Sequence, residues 1–157
     1  MGKSLMIIRK IHPGEMDALL TIIHNYAEEA SITLPDIADE ISDTIILENI
    51  RSWTVQHNHF VEVGFEGERA VGFIAGNVIQ LPWSKTHQAN ISFIYMLESH
   101  RSMDNFKALL HRFEEWARLA NASRIYSGDI GIDLERSRKL YDYLGFTERL
   151  LASKDVK

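Results

Sequence analysis

A chain of 157 residues with 45% hydrophobic and 25% charged residues fits one domain with one core, and this composition excludes collagen, a coiled coil or a wholly disordered chain. No apolar run approaches the roughly 20 residues that span a bilayer, and the first residues lack a signal-peptide pattern, so we expect a soluble, cytoplasmic single domain over residues 1–157. The net charge of −5 argues against a general nucleic-acid binder, and the absence of cysteine excludes disulfides, thiolate zinc sites and a cysteine nucleophile.

The first half of the chain predicts one strand, two helices and an antiparallel hairpin. Proline at position 35 interrupts the helical spacing of apolar residues, because the residue before a proline avoids helical geometry. Glu66, Gly67 and Glu68 form a turn between two strand-like runs. The predicted elements are a strand at 5–11, helices at 15–30 and 36–55, and strands at 59–65 and 70–80.

The second half alternates strands and helices. Asp104 or Asn105 is a candidate N-cap of its first helix, and Gly145 suits the left-handed cap of its second helix. The predicted elements are a buried strand at 89–97, a helix at 104–121, a strand at 123–129, a helix at 134–144 and a strand at 146–152. The order β-α-α-β-β-β-α-β-α-β predicts a mixed α/β (α+β) fold, with a mostly antiparallel central sheet flanked by helices.

Charge is divided unevenly along the chain. Residues 11–50 contain nine acids and no lysine or arginine, so this segment carries −9 and the remainder +4. One interpretation is a pair of solvated helix faces. The other is an acidic lobe that suits a cationic ligand, beside a basic lobe that suits an anionic one.

Two short motifs, read with the order of elements, carry a family resemblance over nearly the whole chain. Residues 70–76 read Ala-Val-Gly-Phe-Ile-Ala-Gly, and residues 140–146 read Leu-Tyr-Asp-Tyr-Leu-Gly-Phe. In this order and at this separation they resemble the third strand and the Tyr-x-x-Leu-Gly-Phe ending of the Gcn5-related N-acetyltransferase (GNAT) superfamily. The resemblance implies a GNAT-like fold and direct transfer of an acetyl group from acetyl-CoA, as co-substrate, to a primary amine in a ternary complex.

The pyrophosphate loop of that superfamily is degenerate in this chain. The family pattern, Arg or Gln, two residues, Gly, one residue, and Gly or Ala, falls on residues 101–106, where the arginine is kept and both glycines are replaced. The resemblance implies a cofactor site made by the end of the central strand, this loop and nearby cations: Met96, Leu97, Arg101, Ser102, Met103, Asp104, Asn105, Phe106, Lys107 and Arg138.

The two replacements have a physical consequence for cofactor binding. Glycine lets the backbone of a helix N-terminus approach a phosphate closely, whereas Asp104 brings negative charge and Phe106 brings bulk. If Asp104 also capped its own helix, it would compete for the N–H donors that the cofactor needs. Either side-chain cations compensate, or the fold has lost ordinary CoA binding. The candidate cations are Arg101, Lys107, Arg136, Arg138 and Lys139.

Acyl transfer to an amine requires an oxyanion donor, an acid for the leaving thiolate and a base for the amine. The resemblance implies that Tyr141 is the acid near the CoA sulfur; the alternative is a core tyrosine. Glu98 and His100, at the exit of the central strand, are candidate bases, or else ordinary exposed loop residues. Glu62 is a third candidate, or simply faces water.

The acceptor pocket of the family is built by loops that here contain Trp83 and Leu34-Pro35. Beside the acidic segment, with Asp36, Asp39 and Glu40, these loops lead us to expect a cationic acceptor: a polyamine, an aminoglycoside-like amine, a lysine side chain or a protein N-terminus. The seven histidines are scattered, and we expect no metal site.

The alternative function is a non-catalytic binding or assembly module on the same fold, from a bacterium or a phage. The two lost glycines are the main argument for it. The sequence does not decide whether the chain forms a homodimer through a sheet edge or through the last strand.

Overall fold

A computed structural model describes residues 5–128, 133–150, 152–154 and 156. Within them, five strands form one sheet in the order β1-β2-β3-β4-β5. The first three pairings are antiparallel and the pairing of β4 with β5 is parallel. The predicted mixed, mostly antiparallel sheet is therefore confirmed. The strands are β1 Ile7–Arg9, β2 His59–Glu66, β3 Arg69–Gln80, β4 His87–Met96 and β5 Ala122–Tyr126.

Five α-helices accompany the sheet within the described residues: α1 Met16–Ala30, α2 Ile37–Glu40, α3 Asp43–Val55, α4 Met103–Leu119 and α5 Leu134–Tyr143. The single helix predicted at 36–55 is wrong, because the chain is extended at Ile41 and a new helix begins after Ser42. The Ser42 hydroxyl accepts a hydrogen bond from the backbone N–H of Ile45 at 3.4 Å. This cap makes a fresh helix start favourable inside an otherwise continuous apolar pattern.

Helices cover both faces of the sheet and create two cores. On one face, Leu19 and Ile22 of α1 and Ile50 of α3 pack with Val63 and Phe65 of β2. On the other face, α4 packs against a different set of strand residues, among them Ile74, Ile91 and Met96. Tyr95 belongs to the first core and Met96 to the second, as alternation along β4 requires.

Two boundary predictions near α4 and the C-terminus are corrected. The cap of α4 is Ser102, whose hydroxyl accepts from the backbone N–H of Asn105 at 3.1 Å, and not Asp104 or Asn105. Residues 146–150 form no strand: Phe146 packs on the second core, whereas Leu150 is 96% exposed. The strand predicted at 146–152 is therefore wrong for its described residues, and Leu151 lies outside them. Gly145 has φ +84°, as its predicted cap position requires.

Candidate active site

A gap opens between β4 and β5 where their pairing stops. The parallel register runs from His87 opposite Ala122 to Asn90 opposite Tyr126. Strand β4 continues to Met96 and stays paired with β3 on its other side. Residues 91–96 of β4 therefore have no partner in β5, and among the described residues no other strand pairs with this edge of β4.

The backbone groups that face this gap follow from the register. The N–H of Leu97 donates to the carbonyl oxygen of Val71 in β3 at 2.8 Å. Since hydrogen-bonding direction alternates along an antiparallel pair, the N–H and C=O groups of Ile94 and Met96 point away from β3, into the gap. This leaves Met96, and not Leu97, as the predicted strand-end residue with a backbone N–H directed into the gap.

The start of α4, where the sequence predicts the binding site of the cofactor diphosphate, has backbone N–H groups with no acceptor among the described residues. Ser102 caps the helix, and the Asn105 side chain donates to the His100 carbonyl oxygen at 2.7 Å. The N–H groups of Met103 and Asp104, in the first turn, donate to no described residue. Such free N–H groups at a helix N-terminus can bind an anion. Phe106 packs partly buried against the second core.

Asp104 engages another helix and does not compete for these N–H groups. Its carboxylate accepts a hydrogen bond from the Tyr143 hydroxyl of α5 at 3.1 Å. This bond, followed by the negative charge of Asp104, raises the pKa of Tyr143. The Lys107 ammonium lies 5.5 Å from the centroid of the Tyr143 ring. A carboxylate, a phenol and an ammonium group therefore meet at the first turns of α4.

The other predicted cations lie in different surroundings. Both Nε and Nη2 of Arg138 contact the Glu148 carboxylate, at 3.3 and 3.2 Å, in an exposed pair on the C-terminal segment. Lys139 pairs with Glu135 one turn away on α5, at 3.4 Å. Arg136 is exposed. Of the lysines and arginines considered for phosphate binding, only Arg101 and Lys107 have described contacts near the start of α4.

Tyr141 lies beyond the end of β5, on the side of the gap opposite β4. Its hydroxyl donates to the Gly128 carbonyl oxygen at 2.8 Å and lies 2.9 Å from the Ser127 hydroxyl. The half-buried ring packs edge-on against Phe146 at a centroid distance of 5.2 Å. The hydroxyl is thus held by polar groups of the segment that follows β5.

The three candidate bases differ sharply in environment. Glu98 is exposed in a short 3-10 turn, and its side chain contacts no described partner. His100 is not an exposed loop residue: Nε2 pairs with the Glu66 carboxylate and Nδ1 lies 2.7 Å from the Ser99 hydroxyl. Glu62 does not face water either, since it is 3% exposed and its Oε1 accepts from Arg112 Nε at 2.8 Å.

Sequence reasoning missed a network of Glu29, Tyr95 and Arg101 beside the gap. Arg101 Nη2 donates to both carboxylate oxygens of Glu29, at 2.7 and 2.6 Å, and its Nε donates to the Met96 carbonyl oxygen at 2.8 Å. The Tyr95 hydroxyl donates to Glu29 at 3.0 Å. Burial, with the nearby Glu29 charge, raises the pKa of Tyr95 to about 12. Only the acid-rich composition of α1 hinted at this pairing.

The acidic segment lines a pocket of about 370 Å³ between α1 and the stretch that contains α2. Glu28 belongs to its lining, whereas Asp36, Asp39 and Glu40 are exposed residues nearby in sequence. His24, also in the lining, pairs with Asp43 at 2.6 Å. The loop residue Trp83 is 81% exposed.

The described residues lack two features, a metal-binding cluster and a membrane-spanning helix. No set of three histidine, aspartate or glutamate side chains is arranged to hold a metal ion. None of the helices in this part of the chain is long and apolar enough to cross a membrane.

Comparison with known proteins identifies similar sequences and folds. The sequence model of the acetyltransferase (GNAT) family matches residues 21–146. A search of curated protein sequences found no significant match.

Solved structures share the fold at low sequence identity. Aminoglycoside antibiotic 6'-N-acetyltransferase AAC(6')-Ih from Acinetobacter baumannii is 17% identical with a TM-score of 0.70, over 97% of this chain and 99% of that one. AAC(6')-Iy, in complex with a CoA bisubstrate analog, is 16% identical with a TM-score of 0.73, over 98% and 100%. Ribosomal-protein-alanine N-acetyltransferase from Brucella melitensis biovar Abortus 2308 is 16% identical with a TM-score of 0.69, over 98% and 99%.

Proposed function

The chain belongs to the acetyltransferase (GNAT) family, and from this premise we propose that it transfers an acetyl group from acetyl-CoA to a primary amine in a ternary complex. The observation that carries the proposal is the open edge of β4, where the Met96 N–H points into the gap beside β5. An open strand edge accommodates an extended, amide-bearing ligand by adding it as another strand. The pantetheine arm of acetyl-CoA is such a ligand.

The residues around the gap suit the steps of this reaction. The amine nitrogen attacks the thioester carbonyl carbon, and the Met96 N–H donates to the oxygen as it becomes negative. Collapse of the tetrahedral intermediate breaks the C–S bond, and the Tyr141 hydroxyl protonates the departing thiolate. Glu98 or His100 takes the proton that the amine loses. The products are an amide and free CoA.

The diphosphate of the cofactor is proposed to lie at the start of α4. The free N–H groups of Met103 and Asp104 supply donors, and the Lys107 ammonium supplies positive charge. The Asp104 carboxylate opposes this binding, although its bond to Tyr143 directs it to α5. We therefore expect weaker cofactor binding than glycines at 104 and 106 would allow.

The acceptor is proposed to be a cationic amine. Residues 11–50 carry acids but no lysine or arginine, and Glu28 lines the pocket beside α1. The similar structures include an aminoglycoside antibiotic acetyltransferase and a ribosomal-protein-alanine acetyltransferase, so small polyamines and protein amines are both candidate classes.

A non-catalytic binding module is the second candidate function. It is favoured by the replacement of both loop glycines and by the engagement of Arg101 with Glu29, since both reduce what the loop offers a diphosphate. In that case the scaffold binds a partner, or a second copy of itself, without turnover.

Calorimetry with acetyl-CoA tests the proposal. We expect micromolar binding that weakens by roughly tenfold in Lys107→Met. The matched control is Lys85→Met, since Lys85 is exposed in the loop between β3 and β4. No heat with millimolar acetyl-CoA would favour the non-catalytic module, and an equal loss in both variants would show that Lys107 holds no specific phosphate.

A further inference from the structure

Arg101 connects three parts of the candidate site. Its Nε donates to the carbonyl oxygen of Met96, the last residue of β4, at 2.8 Å. Its Nη2 donates to both oxygens of Glu29 on α1, and its guanidinium lies 5.3 Å from the centroid of the Tyr95 ring. The side chain is only 18% exposed. Such charge-assisted contacts to a single carboxylate hold a guanidinium firmly.

These contacts occupy a group that the proposed reaction requires. A pantetheine arm that pairs with the open edge of β4 needs carbonyl acceptors for its amide N–H groups as well as N–H donors. Met96 is the last residue of that edge, and its carbonyl oxygen already accepts from Arg101. A pantetheine amide that pairs with Met96, at the end of this edge, therefore meets an oxygen whose accepting capacity Arg101 already uses in part.

We propose that Arg101 is a latch which Glu29 holds closed and which acyl-CoA must open in order to bind. The inference rests on the proposed function, because it names the regulation of that same site. Arg101 directly precedes Ser102, the cap of α4. A released guanidinium is thus close enough in sequence to turn towards a diphosphate at the helix start and exchange a carboxylate partner for a phosphate one. Glu29 is a positioning residue that lowers cofactor affinity through Arg101.

Whether CoA affinity rises or falls when Glu29 is replaced tests the role of Glu29 as a positioning residue. Glu29→Gln keeps the shape of the side chain and removes the charge that holds Arg101, so CoA measured by calorimetry should bind roughly tenfold more tightly. Loss of a merely structural residue would weaken binding or leave it unchanged. Glu48→Gln is the matched control: it makes the same charge change on an exposed side chain of α3 with no contact to Arg101. Its affinity should stay near that of the unaltered protein.

The outcomes separate the latch from the function. If the unaltered protein binds CoA and Glu29→Gln binds no more tightly, the latch is overturned and the transferase proposal remains. Equal tightening in Glu48→Gln also overturns the latch, because it reveals a general charge effect. No binding by any of the three at millimolar CoA overturns both proposals.

A second measurement needs no variant, in case Glu29→Gln does not fold. The Arg101 Nε–H is bonded to Met96, so in an isotope-labelled sample of the free protein its NMR signal should be sharp and should exchange slowly with water. Saturating CoA should shift this signal and speed its exchange. An unchanged Arg101 signal in the CoA-bound protein would overturn the latch.

Discussion

The buried Glu62 of β2 forms an ion pair with the partly exposed Arg112 of α4. The Glu62 side chain is 4% exposed, and Arg112 contacts it through both Nε and Nη2. The 46% exposed guanidinium keeps part of its contact with water. A carboxylate in this position depends on its partner, because a buried charge without one is strongly unfavourable.

Arg112→Met should lower the free energy of unfolding by roughly 3 kcal/mol, because it leaves the Glu62 carboxylate buried and unpaired. Urea unfolding followed by circular dichroism measures this change. Combining it with Glu62→Leu should recover most of the loss, since the pair is then replaced by apolar packing. Arg118→Met, at an exposed position on the same helix, is the control. If the free energy of unfolding of Arg112→Met lies within about 0.5 kcal/mol of that of the unaltered protein, the Glu62 carboxylate does not depend on Arg112.

Tyr141→Phe should lower kcat about 100-fold, because the leaving thiolate loses its proton donor, while calorimetric binding of CoA stays the same. The substitution keeps the ring against Phe146 and removes the hydroxyl that binds Gly128. Tyr126→Phe, which removes an exposed hydroxyl that accepts from Arg124, is the control and should retain kcat. Equal rates for both variants with an amine acceptor would exclude Tyr141 as the acid.

Asp104→Asn should tighten CoA binding roughly fivefold, because a negative charge leaves the start of α4. The same change should slightly lower the melting temperature, since an acid in the first turn of a helix stabilises that helix. Asp142→Asn, an exposed acid on α5, should alter neither quantity. Calorimetry measures the expected rise in CoA affinity, and thermal unfolding measures the expected fall in melting temperature. Unchanged CoA affinity in Asp104→Asn would show that the Asp104 charge does not oppose cofactor binding.

The Arg9 and Glu15 pair predicts a pH dependence of stability. The hydrogen bond from Arg9, followed by one from the His12 N–H, lowers the pKa of Glu15 from 4.5 to about 2. A lowered carboxyl pKa stabilises the fold above pH 4.5, and this contribution is lost as the pH falls towards 2. Glu15→Gln should therefore be less stable than the unaltered protein at neutral pH, with the difference shrinking below pH 4.5.

Urea unfolding at a series of pH values measures this difference. Glu48→Gln, on an exposed side chain of α3 that contacts no described partner, is the control and should show no such trend. A difference between Glu15→Gln and the unaltered protein that stays constant with pH would contradict the assignment.

The apolar spacing of the sequence predicts the cores better than the element boundaries. It places Leu109, Leu110 and Phe113 on the buried side of α4, because a long helix with one apolar face has a single way to pack. It misses the break at Ser42, since apolar spacing continues across it and only a side-chain cap marks it. It predicts a strand at 146–152, whereas the described residues of that stretch pair with no strand of the sheet.

The candidate site is predictable where its residues are near in sequence. Tyr141 and the loop at 101–107 could be located from local motifs. The bond between Glu29 and Arg101 joins residues 72 positions apart, and no local pattern encodes it. The alternative in which Glu62 faces water is wrong, because alternation assumes one wet face, whereas helices cover both faces of this sheet.

The alternation along the end of β4 also means that neighbouring backbone amides have different hydrogen-bond partners, which affects their hydrogen exchange. The N–H of Leu97 is bonded to Val71, whereas that of Met96 points into the gap. Neighbouring amides of one strand therefore differ in their bonding: the Leu97 N–H has a partner in β3, whereas the N–H of the buried Met96 has none there. Any molecule that enters the gap and pairs with β4 will slow hydrogen exchange at the Met96 amide and leave the exchange rate of the Leu97 amide unchanged. The Leu97 amide therefore serves as an internal control for binding detected at Met96.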